Sequence, residues 1–248
     1  EWQRLVVGHT GAATLEQILF TKVQLYPILY HHQKVRAADC MLKGIMEHIR
    51  NREEKLSIGR QPEVTFEKIP DFLWVSEMDL FATALALHEA DPLHHLVHDL
   101  QYRRLIKRVM VISRDTVEVD AGFAKLLELR HSYNKNAYER LREIARLIWE
   151  EAKKKGMNLY FEQIWIDLPA VPDIRDQYAY VKYPSGYIRP LNEVFPITEW
   201  LDLYYPLHKW QRYVFCPDGY QDILAPIVAD VLKKEFGLSI KPEAFRAC

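Results

Sequence analysis

The spacing of apolar residues constrains this chain most, because it changes once, at Gly156. Before that glycine, apolar side chains recur every three or four positions, the period of helices packed by one face. Val35, Ala38, Leu42, Ile45 and Ile49 form one such stripe, and Leu93, Leu96, Val97 and Leu100 form another. From Leu159 the texture becomes that of strands. Tyr160–Leu168 (YFEQIWIDL) reads as a buried strand, and Tyr178–Tyr183 and Tyr187–Leu191 flank Pro184-Ser185-Gly186 as a hairpin. The expected fold is α+β and mainly α-helical: a helical body, then a small antiparallel-sheet lobe with a C-terminal helix. The expected division is 1–156 and 157–248.

Local signals place the element ends. Arg4–Val7 reads as a short strand, with Thr10 the expected N-cap of a helix carrying Leu15, Ile18, Leu19 and Val23. Pro27 removes a backbone donor and crowds the carbonyl four residues back, so a kink near Val23–Tyr30 is expected. A second helix runs from about His32 to Asn51. Asn51–Ser76 reads as an irregular excursion with Val64–Phe66 extended, and a third helix covers about Glu77–His88. Asp91-Pro92 is a strong helix start, and the helix it opens is read as continuing to about Lys107. Helices follow at Ala121–Leu129 and at Asn134–Lys155, the latter stopped by Gly156. Trp200–Tyr205 reads as a short helix and Tyr213–Cys216 as a returning strand. Asp218–Phe236 reads as an amphipathic helix closed by Gly237.

Composition excludes several classes of function. A net charge of -1 over 248 residues makes no whole-chain case for nucleic acid or an anionic membrane surface. No apolar run reaches membrane-spanning length. The three cysteines, Cys40, Cys216 and Cys248, are far apart and in no metal-ligand spacing, which fits a reducing cytoplasm. The chain begins with Glu rather than Met and is read as a fragment or a processed product.

Two stretches carry chemistry. In Lys22–Met46, Lys22, Tyr26 and Tyr30 recur every four residues, so a helix would place one cation and two phenols on one face. On the residues alone this is either a nucleotide-facing row or a helix hairpin with half-buried packing tyrosines. In His88–Asp99 (HEADPLHHLVHD), His98-Asp99 has the letters of a metal-binding doublet. His48 upstream and Asp120 downstream are candidates to complete it, with nothing in their surroundings to support them. The competing reading puts His94, His95 and His98 on the outer side of an ordinary helix. There is no phosphate-cradling glycine loop, no nucleophile elbow and no zinc spacing. Asp167 and Asp173–Asp176 read as solvated acids near a strand end.

The stretch RLVVGHTGAATLEQILFTKVQLYPILYHHQKVRAADCML resembles the HD-domain dNTP triphosphohydrolases just beyond their metal site. DPLHHLVHDLQYRRLIKRVMVIS resembles the family's Asp-Pro helix and the Tyr-Arg-x-Leu-x-Lys element after it. The tail with IWIDLP, the PSG hairpin and RYVFCP is similar to its strand-rich lobe. The resemblance implies hydrolysis at a nucleotide phosphate, with triphosphate released. It also implies substrate contacts by Lys22, Tyr26, Tyr30 and His32, and an activating-nucleotide site at Arg103 and Lys107. The family's metal ligands precede the first matching block. No cofactor is therefore expected in this fragment, no catalytic residue is assigned to it, and a divalent metal is expected in the intact protein. The expected partners are a nucleotide substrate, the missing N-terminal HD segment and further copies in a homo-oligomer, without membrane or specific nucleic acid. Two alternatives stay open: a non-catalytic helical regulatory module, and a metalloenzyme using His98-Asp99. For Arg103 and Lys107 the competing reading is a solvated helix end.

Overall fold

The computed structural model describes residues 6–118, 121–125, 135–169, 179–195, 205 and 209–246, with backbone alone at 135, 136 and 246. The fold is α+β and mainly α-helical. Its contacts form two compact units, Glu1–His32 with Pro169–Gln211, and Gln33–Leu168 with Arg212–Cys248. Gly156 does end a helix, with a left-handed φ of 81°, but it lies inside the second unit. Strands on either side of it pair with one another, so the change in periodicity is not the boundary between the units.

The first unit holds strand β1 (Val6–Gly8) and helix α1 (Ala12–Leu25). Thr10 falls inside a tight turn, His9–Gly11, so Gly11 precedes α1 and no side chain caps it. The expected break at Pro27 is a single π-helical turn, Tyr26–Tyr30, closed by the His31 N–H donating to the Tyr26 carbonyl at 2.7 Å. Proline lacks the donor that would continue the α-helical ladder, and a π turn absorbs the fault. The Pro-Ser-Gly hairpin joins β6 (Tyr180–Lys182) to β7 (Ile188–Pro190), and β1 adds to β6 in parallel. Arg4, Asp173–Asp176 and the Trp200–Tyr205 helix lie outside the described residues, Tyr205 excepted.

The second unit is built on α2 (Gln33–Asn51). Its inner face carries Ala37, Cys40, Met41, Ile45 and Ile49, all buried. Each large apolar side chain so placed contributes about 1.5–3 kcal/mol. The excursion after α2 is ordered: β2 (Leu56–Ile58) and β3 (Gln61–Val64) form a hairpin. Helices α3 (Ile69–Trp74), α4 (Glu77–Leu85) and α5 (Pro92–Gln101) follow. Asp91 caps α5 as expected, accepting from the Leu93 N–H at 2.9 Å.

A three-stranded antiparallel sheet of order β4-β8-β5 closes the unit, with β4 at Lys107–Ile112, β5 at Trp165–Asp167 and β8 at Arg212–Cys216. Only the end of YFEQIWIDL is therefore strand; Phe161–Gln163 is a tight turn. The long helices Lys135–Lys154 and Gln221–Phe236 complete the unit.

Two charge pairs hold these elements. Asp167 of β5 is not the solvated acid expected: it is buried and accepts from Arg36 of α2, Nε to Oδ2 at 2.8 Å and Nη2 to Oδ1 at 2.6 Å. The second pair lies deeper. Arg142 grips Glu47 of α2 with two bonds, Nε to Oε1 at 2.9 Å and Nη2 to Oε2 at 2.6 Å. Its third nitrogen donates to the Ile164 carbonyl at 2.7 Å, and its plane lies between the rings of Phe161 and Trp165, 4.1 and 3.9 Å from their centroids. The Tyr138 hydroxyl also donates to Glu47. Beside this network α2 passes so close to the Phe161–Gln163 turn that a Cβ on Gly44 would stand 2.6 Å from the Glu162 carbonyl oxygen. Glycine is required there.

Candidate functional site

The helix opened by Asp91-Pro92 stops at Gln101, six residues short of the expected Lys107. Tyr102 N–H still donates to His98 at 2.9 Å, and Arg104 N–H reaches back five residues to Asp99 at 2.8 Å. That pattern ends helices when the residue between them turns left-handed, and here the residue is Arg103, at φ 56°. Glycine normally takes this position, because a Cβ crowds the carbonyl. Behind it, Ile106, Val109, Val111 and Ile112 are β-branched and buried, which suits a strand. The chain therefore leaves the helix through a short loop and enters β4 at Lys107.

This turn opens a cavity of about 330 Å³, lined by Gln33, Lys34 and Ala37 of α2, by Arg103, Leu105, Ile106, Lys107 and Arg108, and by Phe215 of β8. Ala37, Ile106 and Phe215 are buried and form an apolar floor; Lys34, Arg103 and Lys107 are exposed around it, and Arg108 is half-buried. In the sheet Arg108 stands opposite Phe215, and the register slips between Arg108 and Met110. Such bulges re-aim side chains, which accounts for neighbouring strand residues lining one cavity.

Four cations thus surround one small concavity. Among the described residues no carboxylate pairs with Arg103. Lys107 lies beside Asp218, with Nζ to Oδ2 at 3.8 Å and both side chains well exposed. The Gln221 amide, and secondly the Lys107 charge, hold the Asp218 carboxyl below its ordinary range. An anion entering this cavity would meet guanidinium and ammonium groups above an apolar surface. Its volume lies at the small end of ligand sites. Arg103 and Lys107, paired in the sequence by resemblance alone, are therefore brought together. Lys34 and Arg108 were not expected: Lys34 lies 69 residues before Arg103, and the helical reading hid the strand that carries Arg108.

The other expected residues belong to the first unit. Lys22 is exposed in the last turn of α1. Tyr26 and Tyr30 lie at the ends of the π turn with ring centroids 4.9 Å apart; Tyr30 is 56% exposed and Tyr26 partly so. Tyr26 meets the buried His31 edge-on at 5.7 Å, and His31 Nδ1 lies 3.2 Å from the buried Tyr205 hydroxyl. An aromatic row thus leads from the surface inward, with His32 exposed beside it.

The divalent metal implied by the resemblance finds no matching donor set among the described residues. No three His, Cys, Asp or Glu side chains gather suitably there. His48 Nδ1 is 2.9 Å from Glu162, and His98 packs against the rings of His94 and Tyr102. Asp120 lies outside the described residues. Among them, too, no helix is long and apolar enough to cross a membrane.

A family model described as the HD-associated region matches residues 2–241. A crystal structure of a phosphohydrolase from Bacteroides thetaiotaomicron superposes with a TM-score of 0.51 at 15% identity. The match covers 86% of this chain and 51% of that one, so the chain spans about half the length of its structural relative. No curated protein sequence matches significantly.

Proposed function

As the chain belongs to the HD-associated region family, we propose that it serves an HD-type nucleotide phosphohydrolase by binding nucleotide. On this reading Arg103, Lys107, Lys34 and Arg108 hold the phosphates of a regulatory nucleotide. Lys22, Tyr26, Tyr30 and His32 form a substrate wall, in which the ammonium meets phosphate and the phenols pack on sugar and base. An HD segment carrying the divalent metal would supply the hydrolytic step, and a deoxynucleoside triphosphate is the proposed substrate. The observation that carries the reading is the cavity beside Arg103, where cations from two distant stretches converge over an apolar floor.

The test is calorimetric titration of the protein with each of the four deoxynucleoside triphosphates, GTP and inorganic triphosphate. A charge-assisted hydrogen bond is worth about 1.5–3 kcal/mol. Arg103→Ala and Lys107→Ala should therefore each weaken nucleotide binding roughly tenfold or more, and more so in dilute salt. Tyr30→Ala reports separately on the substrate wall and should leave the Arg103 site unchanged. Binding that survives the Arg103 and Lys107 double variant, or no binding of any of these nucleotides, overturns the reading. A non-catalytic helical regulatory module would then stand.

A further inference from the structure

Arg103 lines two concavities of one unit. Besides the cationic cavity there is a groove of about 660 Å³ between α2, α3, α4 and α5. The chain order divides them. Leu100 and Gln101, at the end of α5, line the groove, while Leu105, Ile106, Lys107 and Arg108 line the cavity. Arg103 is the left-handed residue between the two sets. Helix α2 makes the same division: Lys34 and Ala37 line the cavity, and Val35, Ala38, Leu42 and Met46 line the groove. Consecutive helical residues point about 100° apart, so one helix serves both concavities from neighbouring faces. Glycine would relieve the strain at position 103, but it has no side chain to border either space.

The groove differs from the cavity in kind. Its walls are mostly apolar, and Phe66, Phe72 and Phe81 supply three rings. Phe72 is 56% exposed, with its ring 5.4 Å from that of Phe66, so aromatic surface is left open. That surface is held in place. The Asp71 side chain, 1% exposed, accepts from the Thr65 and Phe66 N–H groups at 3.0 and 2.9 Å, which ties the helix carrying Phe72 to the turn carrying Phe66. Gln101 and Glu77 also line the groove, both exposed, and their side chains make no hydrogen bond among the described residues. The volume lies within the roughly 300–1,000 Å³ of small-molecule sites, which pair apolar walls with a few polar groups. A nucleoside base fits this chemistry: its face stacks on an aromatic ring, and its edge offers donors and acceptors to an amide and a carboxylate. A hydrocarbon chain would leave both polar groups unused.

We propose that the two concavities form one site, with the phosphates of a nucleotide in the cationic cavity and its base in the α2–α5 groove, stacked on Phe72 and edged by Gln101 and Glu77. The inference rests on the nucleotide reading of the cavity and adds where the base lies.

The test is titration calorimetry with inorganic triphosphate and the four deoxynucleoside triphosphates. Phe72→Ala removes the stacking surface and Leu42→Trp fills the groove; both positions are exposed, and circular dichroism checks the folding of each variant. Each should weaken the nucleoside triphosphates roughly tenfold and leave inorganic triphosphate unchanged. Arg103→Ala should weaken both kinds of ligand. As a check that needs no variant, photolysis of bound 8-azidoadenosine triphosphate should label a peptide from residues 66–81, and excess inorganic triphosphate should protect it. Groove variants that bind nucleoside triphosphates like wild type, beside an Arg103→Ala that does not, overturn this inference and leave the nucleotide reading of the cavity standing. Label confined to other peptides does the same. A wild type that binds neither triphosphate nor nucleotide overturns both. Groove variants that weaken dodecyl phosphate but no nucleotide give the groove to a hydrocarbon chain and overturn the proposal.

Discussion

Arg142 and Arg103 belong to the same compact unit and live under opposite conditions. Arg142 is buried, bonded at three nitrogens to Glu47 and Ile164, and sandwiched between two rings. Arg103 is exposed, occupies a left-handed backbone position and has no carboxylate partner among the described residues. In the first case the protein supplies everything the cation needs, so the cation's role is to hold elements together. In the second, backbone strain is tolerated to place a cation at the rim of a cavity. Strain of that kind persists only where surrounding structure compels it, and such sites are often functional.

The sharpest way to break this comparison is to remove the two cations in turn. Arg142→Ala leaves Glu47 buried without its partner, a change that costs about 3–5 kcal/mol. Arg103→Ala removes an exposed side chain and should move stability by no more than about 0.5 kcal/mol. Urea denaturation of both variants measures the difference directly. Equal losses would mean that Arg103 is as structural as Arg142, and the distinction between the two regions would collapse.

A smaller effect sharpens the buried side. Glu162 sits in the turn that packs on α2, its carboxylate bonded to His48 Nδ1. Burial pushes its carboxyl pKa up, yet the His48 bond and neighbouring charges outweigh burial, and the net shift is downward from 4.5. A carboxyl depressed in the folded state stabilises the protein above its unfolded pKa, and that stability is lost as pH falls through the folded value. Glu162→Gln should therefore cost about 1 kcal/mol at pH 7, with the gap to wild type closing as pH drops below about 4.5. A gap that is constant between pH 7 and pH 3 would show that shape, not charge, matters at this position.

How much of this was legible in the sequence follows from where the information lies. The Asp91-Pro92 start, the Gly156 stop and the Pro-Ser-Gly hairpin are local, and the structure has all three. The end of α5 is not marked locally. No glycine or proline stands between Gln101 and Lys107, and the turn rests on an arginine in a conformation that sequence patterns assign to glycine. Strand β4 acquires its identity by pairing with β8, a hundred residues later, which no window of local pattern contains. The site inherits the same split. Arg103 and Lys107 were reached through resemblance to a family. Lys34 and Arg108 needed the strand, its register slip and the approach of α2. The order of the stretch after α2 was hidden for a related reason: prolines and mixed charge made Asn51–Ser76 read as irregular, although the buried Asp71 accepts from the Thr65 and Phe66 N–H groups and organises its end.

The smallest predicted effect separates the backbone of Arg103 from its charge. A non-glycine residue held left-handed costs about 1 kcal/mol or more, and glycine removes that cost. Glycine also loosens the unfolded chain, which takes back about 0.4–1 kcal/mol. Arg103→Gly should therefore be as stable as wild type or more stable by at most about 1 kcal/mol. Arg103→Ala keeps a Cβ and gains nothing. Both lack the guanidinium, so both should lose nucleotide affinity to the same extent. A glycine variant that keeps affinity would assign the binding to Lys34, Lys107 and Arg108 and make Arg103 a bystander. A glycine variant that unfolds more readily than the alanine variant would mean that the left-handed turn is held by the arginine itself. In that case Arg103 belongs with Arg142 after all, as a structural cation.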